Sequence, residues 1–212
     1  MLTFSRLGYF DQSLPLLKYG LKSGALDNDD YHGELAHLLP LAPPGVQADI
    51  VSVLHDAGNQ YAKLIVADSL TDSHYAQSLT PAVAKGLYEM LQLSEPVFSG
   101  SPAAFGLSDA IHYESWLRAT ANLSERVLNE VPAAHMAVAL LDKDVDPRKI
   151  VAFFLAPESV NLVQEQLTPA ARLALDKKIS SYTEQFHDSV SLRDAAEQAR
   201  ANLANRTASQ QR

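Results

Sequence analysis

A single stripe of apolar side chains near the C-terminal end places the tightest constraint on the fold. Thr168 and Pro169 supply a capping hydroxyl and a residue suited to the first position of a helix. After them, large apolar residues recur at steps of four, three, four and four residues. They are Leu175, Ile179, Tyr182, Phe186 and Val190. Because this spacing follows one face of an α-helix, the sequence predicts a long C-terminal helix that begins at Thr168.

The predicted C-terminal helix has one weak point. Ser191 and Asp194 have the spacing of a capping box, which marks helix N-termini. Two alternatives remain open at this stage: one helix that bends here, or a second helix that starts at Ser191. Residues 206–212 are polar and are predicted to be a frayed tail.

The same start signal occurs twice more, at Thr80-Pro81 and at Asp146-Pro147. Together with the apolar periodicity between prolines, these signals predict an all-α fold, an irregular bundle of about eight to ten helices. Residues 136–156 leave an alternative, because the stretches 136–141 and 149–156 could form a β-hairpin. The flanks are rich in alanine and the intervening loop has no Asn-Gly or Asp-Gly pair, so helices are favoured.

One segment, residues 94–107, has the composition of a linker. It contains two prolines, two glycines and three serines. We therefore predict an N-terminal helical lobe at 1–93, this linker, and a C-terminal helical lobe at 108–205. A single compact domain is the alternative, since a chain of 212 residues suits either arrangement.

Composition and charge restrict the classes of function. There is no cysteine, which excludes disulfides and thiolate metal sites and fits a reducing compartment, so we expect a cytoplasmic protein. The formal net charge is −8, and residues 1–145 hold 8 basic against 17 acidic side chains. Such a surface repels a phosphate backbone, which argues against nucleic-acid binding. No apolar stretch approaches the roughly 18 residues that a membrane span requires.

Pairs of a carboxylate and a histidine three residues apart raise the alternative of a metal site. Glu34 with His37 and Glu184 with His187 have the Glu-x-x-His spacing of di-iron carboxylate bundles. At about 100° per residue, however, Glu184 points roughly 160° away from the apolar stripe of its helix. The pair at Glu34 also lies off its apolar face. A helical metalloprotein or di-iron oxidoreductase is therefore kept as the second hypothesis.

No other catalytic constellation is apparent in the sequence. The chain has no nucleophile-elbow motif in a suitable context, and its nine glycines form no phosphate-binding loop. We accordingly expect no cofactor and, as the leading hypothesis, a non-enzymatic protein that acts as an adaptor, chaperone, inhibitor or regulator.

Two surfaces are predicted to bind a protein partner. Phe98 and Phe105 lie in the linker, where an aromatic side chain either packs into the core or meets a partner. In the last helix, Ala195, Ala199 and Leu203 form a stripe suited to packing against a helix of another chain, including a second copy of this protein. For both surfaces the alternative is ordinary packing within the chain.

Overall fold

The computed structural model describes residues 10–27 and 29–204 and shows an all-α protein, as the sequence predicts. Over these two ranges the chain forms twelve α-helices, one 3₁₀ turn at Leu39–Leu41 and no β-strand. The helices are α1 Phe10–Lys22, α2 Asp29–Leu38, α3 Pro44–Asp56, α4 Gln60–Ser69, α5 Ser73–Ser78, α6 Pro81–Gln92, α7 Leu107–Leu128, α8 Pro132–Leu141, α9 Pro147–Phe154, α10 Pro157–Val163, α11 Pro169–Gln185 and α12 Val190–Ala204.

The helices exceed the predicted eight to ten for two local reasons. The short helix α5 was not anticipated; Asp72 caps it by accepting a hydrogen bond from the backbone N–H of His74 at 2.9 Å. Of the two alternatives for the C-terminal segment, the second helix is correct, and the segment is divided into α11 and α12. Ser189, rather than Ser191, stands at the start of α12, and its hydroxyl accepts from the backbone N–H of Leu192 at 3.4 Å. The predicted tail, 206–212, lies outside the described residues.

The three cap-and-proline signals all mark helix starts. Thr80, Asp146 and Thr168 precede α6, α9 and α11, and the side chain of each accepts a hydrogen bond from a backbone N–H in the first turn. Six of the twelve described helices begin at a proline, because a proline at this position loses no intrahelical hydrogen bond. Residues 136–156 are helical, in α8 and α9, so the hairpin alternative is wrong.

The chain divides into two compact units that do not follow the order of the sequence. Unit 1 comprises the chain up to Glu95 together with Arg118–Glu130, and unit 2 comprises Pro96–Leu117 and the chain from Val131 onward. Helix α7 contributes its first part to unit 2 and its second part to unit 1. The predicted lobes 1–93 and 108–205 differ from these units mainly in the placement of 118–130.

Unit 1 is arranged around α3, which packs against α1, α2 and α6. At the contact with α6, Gly86 leaves room for the side chain of Val51, since a β-carbon there would lie 2.9 Å from its methyl group. The second part of α7 is held by polar side chains. Asn122 donates to the carbonyls of Leu70 and Thr71, and Arg126 donates to the carbonyl of Leu79. These donors satisfy carbonyls that a helix end leaves without an intrahelical partner.

Unit 2 is arranged around α9, which packs against α10, α11 and α12. Its buried side chains surround the helix and include Ile150, Val151, Ala152, Phe153 and Phe154. A helix that is apolar on every side must be covered on every side, so α11 and α12 lie against it. Among the described residues, no helix has the length and apolar character needed to cross a membrane.

Candidate interaction groove

The candidate interaction site lies along the last two helices of unit 2. Helices α11 and α12 pack against each other and are joined by only four residues, 186–189. Asp176, near the middle of α11, pairs with Arg200, in the second half of α12, and with the short connection between them the two helices run antiparallel. Two adjacent cavities open along them, and Arg200 lines both. We call these two cavities together the α11–α12 groove.

The first cavity is the apolar end of the groove. Its volume is about 440 Å³, and it is lined by Leu167, Pro169, Arg172, Leu173, Asp176, Arg200, Leu203 and Ala204. Leu167 and Leu203 are buried, whereas Leu173 has 54% of its surface exposed. An open cavity with a large exposed apolar side chain at its wall is a place where a second molecule can remove apolar surface from water.

Arg172 supplies a positive charge at the apolar end. Its Nε donates to the carbonyl of Leu167 at 3.2 Å, and its Nη2 donates to the carbonyl of Gln164 at 3.0 Å. These bonds hold the guanidinium at the chain that follows α10. Within the part of the chain that the structure describes, Arg172 forms no ion pair and its Nη1 donates no hydrogen bond.

Arg200 and Asp176 separate the two ends of the groove. The Nε of Arg200 lies 2.6 Å from Oδ1 of Asp176, and its Nη2 lies 3.3 Å from Oδ2. This hydrogen bonding raises the pKa of Arg200 above its usual value, and the charges of Asp176, Glu197 and Glu184 raise it further, against the opposing effect of burial. Three carboxylates therefore act on this one guanidinium.

The second cavity is the polar end of the groove, with a volume of about 350 Å³. Its lining consists of Ser180, Thr183, Glu184, His187, Arg193, Ala196, Glu197 and Arg200. Because the charge of Arg200 is already matched by Asp176, Arg193 faces two glutamates, and the polar end carries a formal charge of −1. The apolar end, with two arginines and one aspartate, carries a formal charge of +1.

The predicted helix-packing stripe on α12 lies next to this groove. Ala199 and Leu203 are buried within unit 2, and Ala195 is partly exposed. Two of the three side chains are therefore engaged in packing within the chain, while Leu203 also lines the apolar cavity. A role for this stripe in binding another chain stays a prediction.

Phe98 and Phe105, the other predicted interaction residues, belong to a cluster of four aromatic side chains in unit 2. We call Phe98, Phe105, Tyr113 and Trp116 the aromatic cluster. The ring centroid of Phe98 lies 5.9 Å from that of Phe105 and 6.4 Å from that of Tyr113. Phe98 is only 6% exposed and Phe105 is partly exposed. The side chain of Phe98 is thus covered by its own chain.

Arg148 fastens the segment that carries Phe98. Its guanidinium lies 5.3 Å from the centroid of the Phe98 ring, pairs with Asp146 at 2.8 Å and donates to the carbonyl of Ser101 at 3.3 Å. The hydroxyl of Tyr182 donates to the carbonyl of Pro102 at 2.7 Å. Since its backbone is tied at these points, the residues around Phe98 are part of the packing of unit 2 rather than a free linker.

The two carboxylate–histidine pairs fall in different units. Glu34 and His37 lie in unit 1, and Glu184 and His187 lie in unit 2, where both are exposed. Among the described residues, no group of three or more histidine, aspartate and glutamate side chains is arranged to hold a metal ion. Glu184 and His187 instead line the polar end of the groove. The metal hypothesis stays an untested prediction.

Sequence reasoning missed the residues that shape the apolar end of the groove. Asp176 and Arg200 are 24 residues apart, and no local pattern links them. Leu173 did leave a signal, because it lies two residues, or roughly 160° around the helix, from Leu175 of the apolar stripe. A large apolar residue that far around the helix from the core face must be exposed to solvent or contact a group outside the core.

Comparison with known proteins gives no assignment. The chain matches no protein-family model, and it matches neither a curated protein nor a solved structure.

Proposed function

We propose that this chain is a non-enzymatic protein-interaction module whose α11–α12 groove receives an apolar side chain of a protein partner. The observation that carries the proposal is the position of Leu173, which is 54% exposed beside an apolar cavity of about 440 Å³. Binding pockets have volumes of about 300–1,000 Å³ and mostly apolar linings. A side chain that enters such a pocket contributes the buried anchor on which interface energies depend.

Hydrogen bonds within the chain hold the helices that form the groove, which supports this role. Asn202 of α12 donates from Nδ2 to the carbonyls of Phe154 at 2.8 Å and Leu155 at 3.2 Å, at the end of α9. The bond between Asp176 and Arg200 joins the two helices of the groove. A preformed pocket loses little conformational entropy on binding, so more of the contact energy is available for affinity.

We also propose where the protein acts and in what role. The lack of cysteine fits the cytoplasm, and an adaptor, inhibitor or regulator there would use the groove to hold a segment of its target. A second copy of this chain is one such target.

The proposal predicts which of two exposed leucines matters for binding. Random peptides displayed on phage are selected against the full chain, and the affinities of the enriched peptides are measured in solution. We expect Leu173→Lys to weaken them by about tenfold or more, because the anchoring pocket loses its exposed apolar wall. Leu162→Lys is the matched control, since Leu162 is 44% exposed in the same unit and does not line the groove.

Two results would overturn the proposal. Enriched peptides that bind Leu173→Lys as tightly as the parent chain would place the binding surface elsewhere. A selection that enriches no peptide would deny the groove a role in peptide binding. Thermal unfolding of both variants accompanies the assay, and we expect neither to change the midpoint by much, because both leucines are exposed.

A further inference from the structure

The charges of the α11–α12 groove indicate what lies next to the apolar side chain of the partner. We propose that the bound segment carries an aspartate or glutamate beside its apolar anchor, and that this carboxylate pairs with Arg172. The inference rests on the proposed function, because it requires the groove to bind a peptide segment.

Arg172 is suited to this pairing because its charge has no counterion among the described residues. Its two hydrogen-bonded nitrogens meet neutral backbone carbonyls, at Leu167 and Gln164. Asp176, one turn further along α11, is engaged with Arg200 instead. A cation on the wall of an apolar cavity is only partly hydrated, and a carboxylate that reaches it gains a charge-assisted hydrogen bond.

The chemistry of the guanidinium allows this bond without breaking the existing ones. Arginine has five N–H donors in a fixed fork, and the carbonyls of Leu167 and Gln164 take donors on Nε and Nη2. Nη1 retains its donors within the described chain. The backbone carbonyls therefore orient the guanidinium and leave one side of the fork for a ligand.

The rest of the groove restricts where an acidic residue can lie. Glu184 and Glu197 line the polar end and repel a carboxylate there, and their charges also act on Arg200. Glu184 is 12 residues, or about 18 Å along α11, from Arg172. An acidic residue is consequently favoured at the apolar end and opposed at the polar end, which gives the bound segment a defined direction.

The test is a double-mutant cycle between the chain and one selected peptide. The probes are an enriched phage peptide that contains an aspartate or glutamate beside its apolar residue, and its Asn or Gln analogue. We expect Arg172→Gln to lower the affinity for the acidic peptide about tenfold and the affinity for the amide analogue by less than about twofold. Arg193→Gln, at the polar end, is the matched control and should leave the ratio of the two affinities unchanged.

The outcomes separate this inference from the proposed function. An equal loss for both peptides in Arg172→Gln would show that the arginine only supports the structure, and it would overturn the inference. Enriched peptides that depend on Leu173 but carry no acidic residue beside the anchor would overturn it too, while leaving the groove as a binding site. Peptides whose binding does not depend on Leu173 would instead overturn the proposed function itself.

Discussion

The aromatic cluster and the α11–α12 groove are two regions of unit 2 that each combine apolar side chains with an arginine. In the aromatic cluster, Arg148 lies over the Phe98 ring and is paired with Asp146, so ring, cation and anion are all supplied by the chain. In the groove, Arg172 lies beside an apolar cavity and, among the described residues, donates hydrogen bonds only to carbonyls. In the first region every group has a partner within the chain, whereas in the second Arg172 has no ion pair among the described residues and the apolar cavity is not filled.

This difference shows that composition alone does not identify an interaction surface. Both regions have the aromatic or aliphatic residues and the arginine that interfaces favour. The two regions differ in whether the arginine and the apolar side chains contact partners within the chain. A closed region contributes to stability, and we propose that the open one contributes to binding, so substitutions in the two regions should affect different measurements.

The largest effect on stability is expected for Phe98→Ala. Removing a buried aromatic ring from a packed cluster costs about 3–5 kcal/mol in the free energy of unfolding. We expect a loss in this range, measured by urea denaturation, because Phe98 is only 6% exposed and contacts two other rings.

Val97→Ala is the control for this variant. Val97 precedes Phe98 in the chain and is 84% exposed, so its loss should change stability by less than about 0.5 kcal/mol. If Phe98→Ala were as stable as Val97→Ala, the comparison would fail, and Phe98 would return as a candidate for partner binding.

A smaller difference in the free energy of unfolding is expected between substitutions of the two arginines. Arg148→Gln removes the pair with Asp146 and the contact with Phe98, and we expect a loss of about 2–3 kcal/mol, below that of a fully buried pair because Asp146 is partly exposed. Arg172→Gln removes two partly exposed bonds to carbonyls and should cost about 0.5–1 kcal/mol. Equal losses, measured by urea denaturation, would contradict the distinction between a closed and an open region.

The smallest effect concerns Tyr182, whose hydroxyl ties the backbone near the aromatic cluster. Tyr182→Phe loses the hydrogen bond to Pro102 and should cost about 0.5–1 kcal/mol at about pH 8. Burial raises the pKa of Tyr182, against the lowering effect of Arg148. Its contribution to stability is thus complete below the unfolded pKa of about 10 and is lost as the pH rises toward the folded value.

The variant should therefore respond less to alkali than the parent chain does. Urea denaturation at about pH 8 and about pH 11 measures this response, and the other tyrosines are common to both proteins. The same loss of stability in both would show that Tyr182 does not titrate differently in the folded protein.

Much of the fold was predictable because its signals are local. A hydroxyl or carboxylate before a proline fixes a helix start within a few residues, as at Thr80, Asp146 and Thr168. The apolar stripe correctly placed Leu175 and Ile179 in the core. Val190, the last residue of the stripe, is exposed and begins α12, one residue before the helix start that was left open at Ser191.

The groove was not predictable because its parts are distant in sequence. Nothing near Arg200 indicates that Asp176 is its partner, and nothing near Arg148 indicates that it lies over Phe98. For residues 94–107, prolines and glycines indicate the freedom of the backbone but not the side chains and carbonyls that hold it. Those contacts depend on tertiary packing, which periodicity does not report.

The division of α7 between the two units has a consequence for synthesis on the ribosome. Unit 1 needs residues 118–130, whose Asn122 and Arg126 bind the carbonyls of Leu70, Thr71 and Leu79. At about 5–20 residues per second, these residues are made about two to seven seconds after Glu95. The nascent chain must therefore hold an unfinished N-terminal unit while the first residues of unit 2 are translated, and no single cut in the gene can release either unit whole.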